Sequence, residues 1–481
     1  MIKKLLHILF ITPILLFGQT QVGTDIIGDT TDDYFGRSIS FSNDGSVIAI
    51  GADGAETIAG HVKIYQNISG TWTQIGADIV GEATSDQSGK SVSLSSNGNI
   101  VAIGASANDD AGSNAGQVRI YQNISGTWTQ IGADIDGEAE IDFFGTSVSL
   151  SSNGSIVAIG GYLNDGNGSN AGHVRIYQNV SGTWTQIGTD IDGEAANDYS
   201  GISVSLSDDG NIVAIGASAN DDAGSNAGQV RIYQNISGTW TQIGADIDGE
   251  ATGDKSGWKV SLSTNGDVVA IGAYGNNSFT GQVRVYKNIL GTWTQIGTDI
   301  DGEAINDFSG YSISLSGDGS IVAIGALSND GSGSNAGHVR IYQNISGTWN
   351  QIGIDIDGIG ADYNSGQTVS LSNDGNVVAI GAYGSAFTKG QVRVFNISSV
   401  LSNNEFVLEN FSIYPNPVST TLTIQLQSNL ELNTVTIYDS LGKKIKEEIT
   451  KTLNLSTLSK GIYYVKVSTN MGEATKTIII K

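Results

Sequence analysis

The sequence predicts an all-β protein: a seven-bladed β-propeller closed by its N-terminal strand, followed by a small C-terminal β-sandwich. Three observations carry this expectation. One unit of 53–56 residues recurs seven times. Each copy alternates apolar with small or polar residues at period two, between clusters of Gly, Asn, Asp and Ser. A short segment near the N-terminus matches the strand that the seventh copy lacks.

The first residues stand apart from the repeats. Met1 to Gly18 carries Lys3 and Lys4, an apolar run from Leu5 to Phe17 broken by His7, Thr12 and Pro13, and then small and polar residues. This is the pattern of a secretory signal peptide over residues 1–18. Its apolar run falls short of the ~20 residues that span a bilayer as a helix. No later segment is long and apolar enough to span, so the sequence predicts an exported chain with no transmembrane segment once the signal is removed.

The repeats fill residues 19–400. Ile-Val-Ala-Ile-Gly-Ala and its variants place an Ala at 49, 102, 158, 214, 270, 323 and 379, and Gly-(His/Gln)-Val-(Lys/Arg)-(Ile/Val)-(Tyr/Phe) starts at Gly60, Gly116, Gly172, Gly228, Gly281, Gly337 and Gly390. A fixed period makes each copy one supersecondary unit stacked on its neighbours. In the copy Ser147 to Ile187, four strand-like runs are separated by Ser152-Asn153-Gly154, the loop Asn164 to Gly172, and Asn179 to Gly182. Four short antiparallel strands per unit make a propeller blade; an open β-solenoid, whose rungs are usually shorter, is the alternative. The fourth strand carries Trp72, Trp128, Trp184, Trp240, Trp293 and Trp349, and the seventh copy ends at Phe395 without one. Thr20 to Ile26 matches Thr129 to Ile135, so the N-terminal strand supplies the missing edge and closes the ring.

Composition narrows the function. The chain has 65 Gly, 3 Pro and no Cys, with 48 acidic against 23 basic side chains and a formal net charge of −25. Disulfides and Cys-based metal chemistry are excluded, and so large an acid excess argues against a nucleic-acid partner. The acidity belongs to the repeats: residues 19–410 hold 43 acidic and 13 basic side chains.

With Asp142-Phe143-Phe144-Gly145-Thr146-Ser147, then Val157 to Gly161, then Gly172 to Tyr177, the unit resembles the FG-GAP repeat of integrin-α-type propellers. Phe precedes the Gly only at Phe35-Gly36 and Phe144-Gly145, Ser takes its place elsewhere, and the final Pro of that motif is never present. Calcium-binding members carry an Asp-rich loop between the first two strands. Here that loop reads Ser-Ser-Asn-Gly or a close variant, so calcium at that position is not inherited.

Other acids offer oxygen donors to Ca2+. Asp134, Asp136, Glu138 and Asp142 lie in one connection between blades, and Asp190, Asp192, Glu194 and Asp198 in the next. Calcium takes six to eight oxygens in flexible geometry; the competing reading is a Gly turn flanked by acids that cap backbone N–H groups. Catalysis has little support. His61, His173 and His338 occupy a slot that other copies give to Gln117, Gln229, Gln282 or Gln391, and the paired carboxylates repeat around the ring, whereas an active site needs one asymmetric constellation. Trp258 lies outside the Trp series, in a slot filled elsewhere by Arg37, Lys90, Thr146, Ile202, Tyr311 or Gln367. It is a candidate stacking platform for a glycan or protein ligand, with inter-blade packing as the alternative.

After a linker at residues 401–410 the composition changes. Residues 411–481 open with Phe411-Ser412-Ile413 and Tyr414-Pro415-Asn416-Pro417, continue through strand-like runs to Gly461-Ile462-Tyr463-Tyr464, and finish on a strand ending at Lys481. This combination resembles the C-terminal sorting domain of proteins exported by the type IX secretion system of Bacteroidota. The resemblance implies Sec export to the periplasm, engagement of the type IX machinery, and release or display at the outer-membrane surface. The expected function is that of a secreted or surface-displayed binding or adhesion module. A polysaccharide hydrolase or lyase on the same scaffold, or a purely structural surface protein, is the alternative.

Overall fold

The computed structural model describes residues 19–54, 59–384, 389–398, 411–426, 430, 432–439, 442–469 and 472–481. The expected signal peptide and linker lie outside the described residues. Seven four-stranded antiparallel sheets form the blades. In blade 3 the strands are Phe144–Leu150, Ile156–Gly161, His173–Val180 and Thr183–Gln186, and a short fifth, Ile191–Asp192, pairs with the third. Blades 1 to 6 share this plan.

Blade 7 draws on both ends of the repeat region. Its strands are Thr368–Leu371, Val377–Ala382 and Gln391–Asn396, and its outer strand is Thr20–Gln21, with Thr20 opposite Asn396 and Gln21 opposite Phe395. Ile26–Ile27 pairs with the same third strand. The N-terminal strand therefore closes the ring, as the circular offset in the sequence predicts.

The period-two pattern of the first strands acquires a physical reason here. These strands surround the axis, each lying against its neighbours, with blade 1 against blade 7. Their serines tie one blade to the next in tiers. On the first tier the hydroxyls of Ser38, Ser91, Ser147, Ser203 and Ser312 donate to the carbonyls of Gly89, Gly145, Gly201, Gly257 and Gly366, at 2.6–2.9 Å. On the second, the N–H groups of Phe41, Leu94, Leu150, Leu206, Leu262, Leu315 and Leu371 donate to the hydroxyls of Ser370, Ser40, Ser93, Ser149, Ser205, Ser261 and Ser314. On the third, a closed circle of backbone bonds of 2.8–2.9 Å runs from Asn43 through Ser96, Ser152, Asp208, Thr264, Gly317 and Asn373 back to Asn43. These inner-strand serines are thus satisfied by adjacent blades.

Between blades the packing is apolar. Ala102, Val118 and Ile120 of blade 2 meet Phe144, Val148, Leu150, Val157 and Ile159 of blade 3, and equivalent clusters recur around the ring. At the rim the repeated Trp latches each blade to the preceding one: Trp128 Nε1 donates to Ile75 O at 2.8 Å and Trp184 Nε1 to Ile131 O at 2.8 Å. In blade 7 the Trp position is Gln19, whose Nε2 donates to Ile354 O at 2.7 Å.

The C-terminal region forms a sandwich of two sheets. One holds Phe411–Tyr414, Thr421–Leu426 and Thr452–Asn454, and the other Lys444–Glu448, Leu432–Tyr438, Gly461–Thr469 and Gly472–Ile480. Val418, Leu422, Val435, Ile437, Val465 and Ile478 fill its core. Tyr414, Pro415, Asn416 and Pro417 lead from the first strand to the edge of the last, where Asn416 donates to Thr477 O and accepts from Ile479 N–H. Gly461 begins a strand, Tyr463 donates its hydroxyl to Ser459 O, and Lys481 N–H bonds Val418 O. The sorting motif thereby fastens the last strand to the first turn.

Candidate functional site at the mouth of the channel

The seven first strands leave an axial channel that differs at its two ends. At the end bearing the backbone circle, Asn43 of blade 1 and Asp208 of blade 4 line a small recess of 130 Å³. At the other end the channel opens as a cup of 380 Å³, within the usual size of small-ligand sites.

The cup's rim is where the blades stop being alike. The residue just ahead of the first-tier position is Arg37, Lys90, Thr146, Ile202, Trp258, Tyr311 or Gln367, and all seven line the cup. Trp258 therefore sits at the mouth, half-buried. A second variable position lies three residues earlier, at Tyr34, Gln87, Phe143, Tyr199, Lys255, Phe308 and Asn364. There the backbone is left-handed in every blade, φ between 50° and 59°. For bulky side chains that is an uncommon conformation, and it recurs at functional sites.

The sequence alone does not reveal what these positions build together. On blades 5 and 6, Trp258 packs edge-on to Tyr274 at 4.9 Å and tilted to Tyr311 at 5.5 Å, and Tyr274 continues to Phe308 at 5.9 Å. Phe279 meets Phe308 at 5.3 Å and is 42% exposed. These five rings form a continuous cluster. Across the cup, Arg37 lies over the Tyr383 ring at 5.6 Å, and Asp53 holds Arg37 at 3.7 Å and Lys90 at 3.4 Å.

Lys259 is the functional candidate that the sequence reading missed. It occupies the first-tier position, Ser in five blades and Thr368 in the seventh, so no Ser hydroxyl bonds Gly310 O. It lines the cup beside Trp258 with its side chain exposed to the channel, and the surrounding channel wall lowers the pKa of its ammonium. Aligning the seven copies by this column would have isolated it.

The acids between blades have a different role. Arg119, Arg175, Arg231, Arg284 and Arg340, all nearly buried, donate to carbonyls of the preceding connection and pair with Glu82, Glu138, Glu194, Glu250 and Glu303 at 3.1–3.7 Å. In blade 1, Lys63 bridges Asp29 and Asp78. Of the first acid set, Asp134 accepts from Gln130, Asp136 from Gln117, Glu138 from Arg175, and buried Asp142 from Ala139 N–H and Asn164. In the second set Asp190 accepts from Gln186, Glu194 pairs with Arg231, Asp198 accepts from Ala195 N–H and Asn220, and Asp192 lies opposite His173 in the ladder. Seven of these eight carboxylates already have a hydrogen-bond or ion-pair partner. Among the described residues the structure brings together Glu138, His173 and Asp190, and likewise Glu303, His338 and Asp355, with ligand atoms within 4.8 Å. In both groups an Arg already pairs with the Glu.

His338 makes a pH test possible. Burial, aided by Arg340, lowers its pKa from 6.5 to about 4, while Asp355 and Asp307 oppose the shift. The neutral ring is the form that fits, so its contribution is present above pH 6.5 and is lost as the pH falls toward 4. The chain should lose roughly 3 kcal/mol across that window from this residue. His338→Gln places there the residue that four other blades carry, so urea unfolding of this variant should show a correspondingly weaker acid dependence. Parallel pH profiles for the two proteins would remove His338 from the account.

Comparison with known proteins agrees with this architecture. Residues 412–481 match the family model of the secretion system C-terminal sorting domain, and residues 189–233 match that of the FG-GAP repeat. No curated protein matches. Among solved structures, the chain is similar to hydrazine synthase of Kuenenia stuttgartiensis, with 13% identity over 77% of this chain and 97% of that one and a TM-score of 0.50. It is also similar to a putative 6-phosphogluconolactonase from Bacteroides uniformis, with 12% identity over 67% and 85% and a TM-score of 0.48. At 13% identity the likeness to hydrazine synthase concerns the fold alone. No helix among the described residues is long and apolar enough to cross a membrane. The sorting domain marks proteins that the type IX secretion system delivers to the cell surface or the medium. The chain is a seven-bladed propeller with an FG-GAP repeat at residues 189–233 and a type IX C-terminal sorting domain at residues 412–481.

Proposed function

We propose that the propeller is a binding or adhesion module that takes its ligand at the open mouth of the channel. One observation carries this reading: side chains that hold the blades together are repeated around the ring, whereas those lining the mouth differ from blade to blade. Repetition suffices for structure, and a single ligand needs an asymmetric site. The aromatic cluster of blades 5 and 6 supplies apolar ring surface, and the opposite wall supplies hydrogen-bond donors, a combination suited to a glycan or an extended peptide.

The test is binding of the purified chain to an oligosaccharide panel and to intact cell surfaces, beside Trp258→Ala, with and without EDTA. Trp258→Ala should lower affinity at least tenfold with little change in melting temperature, and EDTA should have no effect. Unchanged binding by the variant would move the site elsewhere, loss with EDTA would restore a metal role, and turnover of a polysaccharide would make the module an enzyme.

A further inference from the structure

The charges of the propeller are distributed unevenly once its structural pairs are set aside. Residues 19–410 carry 13 cations against 43 acids. Seven of the cations are the Lys or Arg of the third strands, which bind the connections between blades. Of the six that remain, three line the cup: Arg37, Lys90 and Lys259. No carboxylate is among the described residues lining it. Asp53, beside Arg37 and Lys90, is a single acid shared between two cations.

Lys259 strengthens the argument because it is placed there at a structural cost. Every other blade has a hydroxyl residue at its position, and in five of them that hydroxyl bonds the next blade. Blade 5 forgoes this contact and sets an ammonium in the cup with no ion-pair partner among the described residues. Low-dielectric walls around like charges focus a positive potential, although the ring as a whole is strongly negative. The aromatic cluster begins one residue away, at Trp258. We infer that the cup binds an anionic saccharide, its acid group among Lys259, Arg37 and Lys90 and a sugar face on Trp258. This rests on the mouth being the ligand site and adds the ligand's chemical class.

The experiment titrates the purified chain with tri-galacturonate, with its methyl ester, and with a sulfated trisaccharide. Lys259→Ser, which restores the residue of the other blades, and Trp258→Ala are run beside it. The carboxylate should bind at least tenfold more tightly than its ester, and Lys259→Ser should remove that preference. Tighter binding of the sulfated sugar would keep the anionic class and assign the acid group to sulfate. Equal binding of acid and ester, both lost in Trp258→Ala, would overturn the anionic ligand and keep the mouth as the site. Absence of binding by all three sugars, or binding indifferent to both substitutions, would overturn the inference.

Discussion

Removing residues 19–27 should destabilise the propeller by several kcal/mol and drive it to associate. These residues contribute the outer strand of blade 7, where Val22 N–H bonds Val394 O at 2.7 Å and Ile26 is buried. They also accept the indole of Trp72 at 3.0 Å and anchor Gln19 to Ile354. Each net hydrogen bond is worth about 1 kcal/mol and burial of an Ile side chain about 2. The larger consequence is exposure of Gln391–Asn396 as an unpaired edge beside the unlatched face of blade 1. Thermal unfolding should shift downward by roughly 10 °C for a loss of that size, and size-exclusion chromatography should show oligomers. A truncated chain that stays monomeric with an unchanged melting temperature would mean that the ring does not depend on this strand.

Gly216→Ala should be the most damaging methyl group that can be added to blade 4. A Cβ at Gly216 would lie 1.9 Å from Gly257 O and 2.6 Å from Ser203 Oγ, the two atoms that join blades 4 and 5 on the first tier. Backbone must move, and closed circles of bonds on the tiers below restrict that movement. Overpacking of this kind costs about 1–3 kcal/mol where a core can relax, and more where it cannot. Gly126→Ala provides the contrast: its φ of +87° is unfavourable for Ala, yet nothing lies within 4 Å. It should cost only about 1 kcal/mol. Urea midpoints separated by less than the spread of replicate measurements would show that the blades are not in close contact at this Gly.

The repeat explains why so much of the ring is legible in the sequence. A period of 53–56 residues, a Trp that recurs six times and an N-terminal copy of its strand define blade number and closure without any distance information. What one blade does to the next is harder to read. Glu138 and Arg175 are 37 residues apart, and nothing local shows that the acid of one connection serves the cation of the following blade. The same acids, viewed along the chain, look like a calcium loop. Trp258 is visible because Trp is rare, whereas Lys259 and the left-handed aromatic positions take their meaning only when seven columns converge on one rim. The inner serines present the reverse case: their alternation signals a strand, and its cause, bonding between neighbouring blades, appears only around the axis.

The central claim is that a closed structural ring presents one asymmetric ligand site at its mouth, and tryptophan fluorescence tests it most directly. Six of the seven tryptophans lie on fourth strands at the outer rim, and Trp258 alone lines the cup. Titration with the best-binding oligosaccharide should give a saturable emission change in the unmodified chain, and that change should disappear in Trp258→Phe while the other six tryptophans remain silent. A saturable change of the same size in Trp258→Phe would place the ligand at the rim and contradict the account.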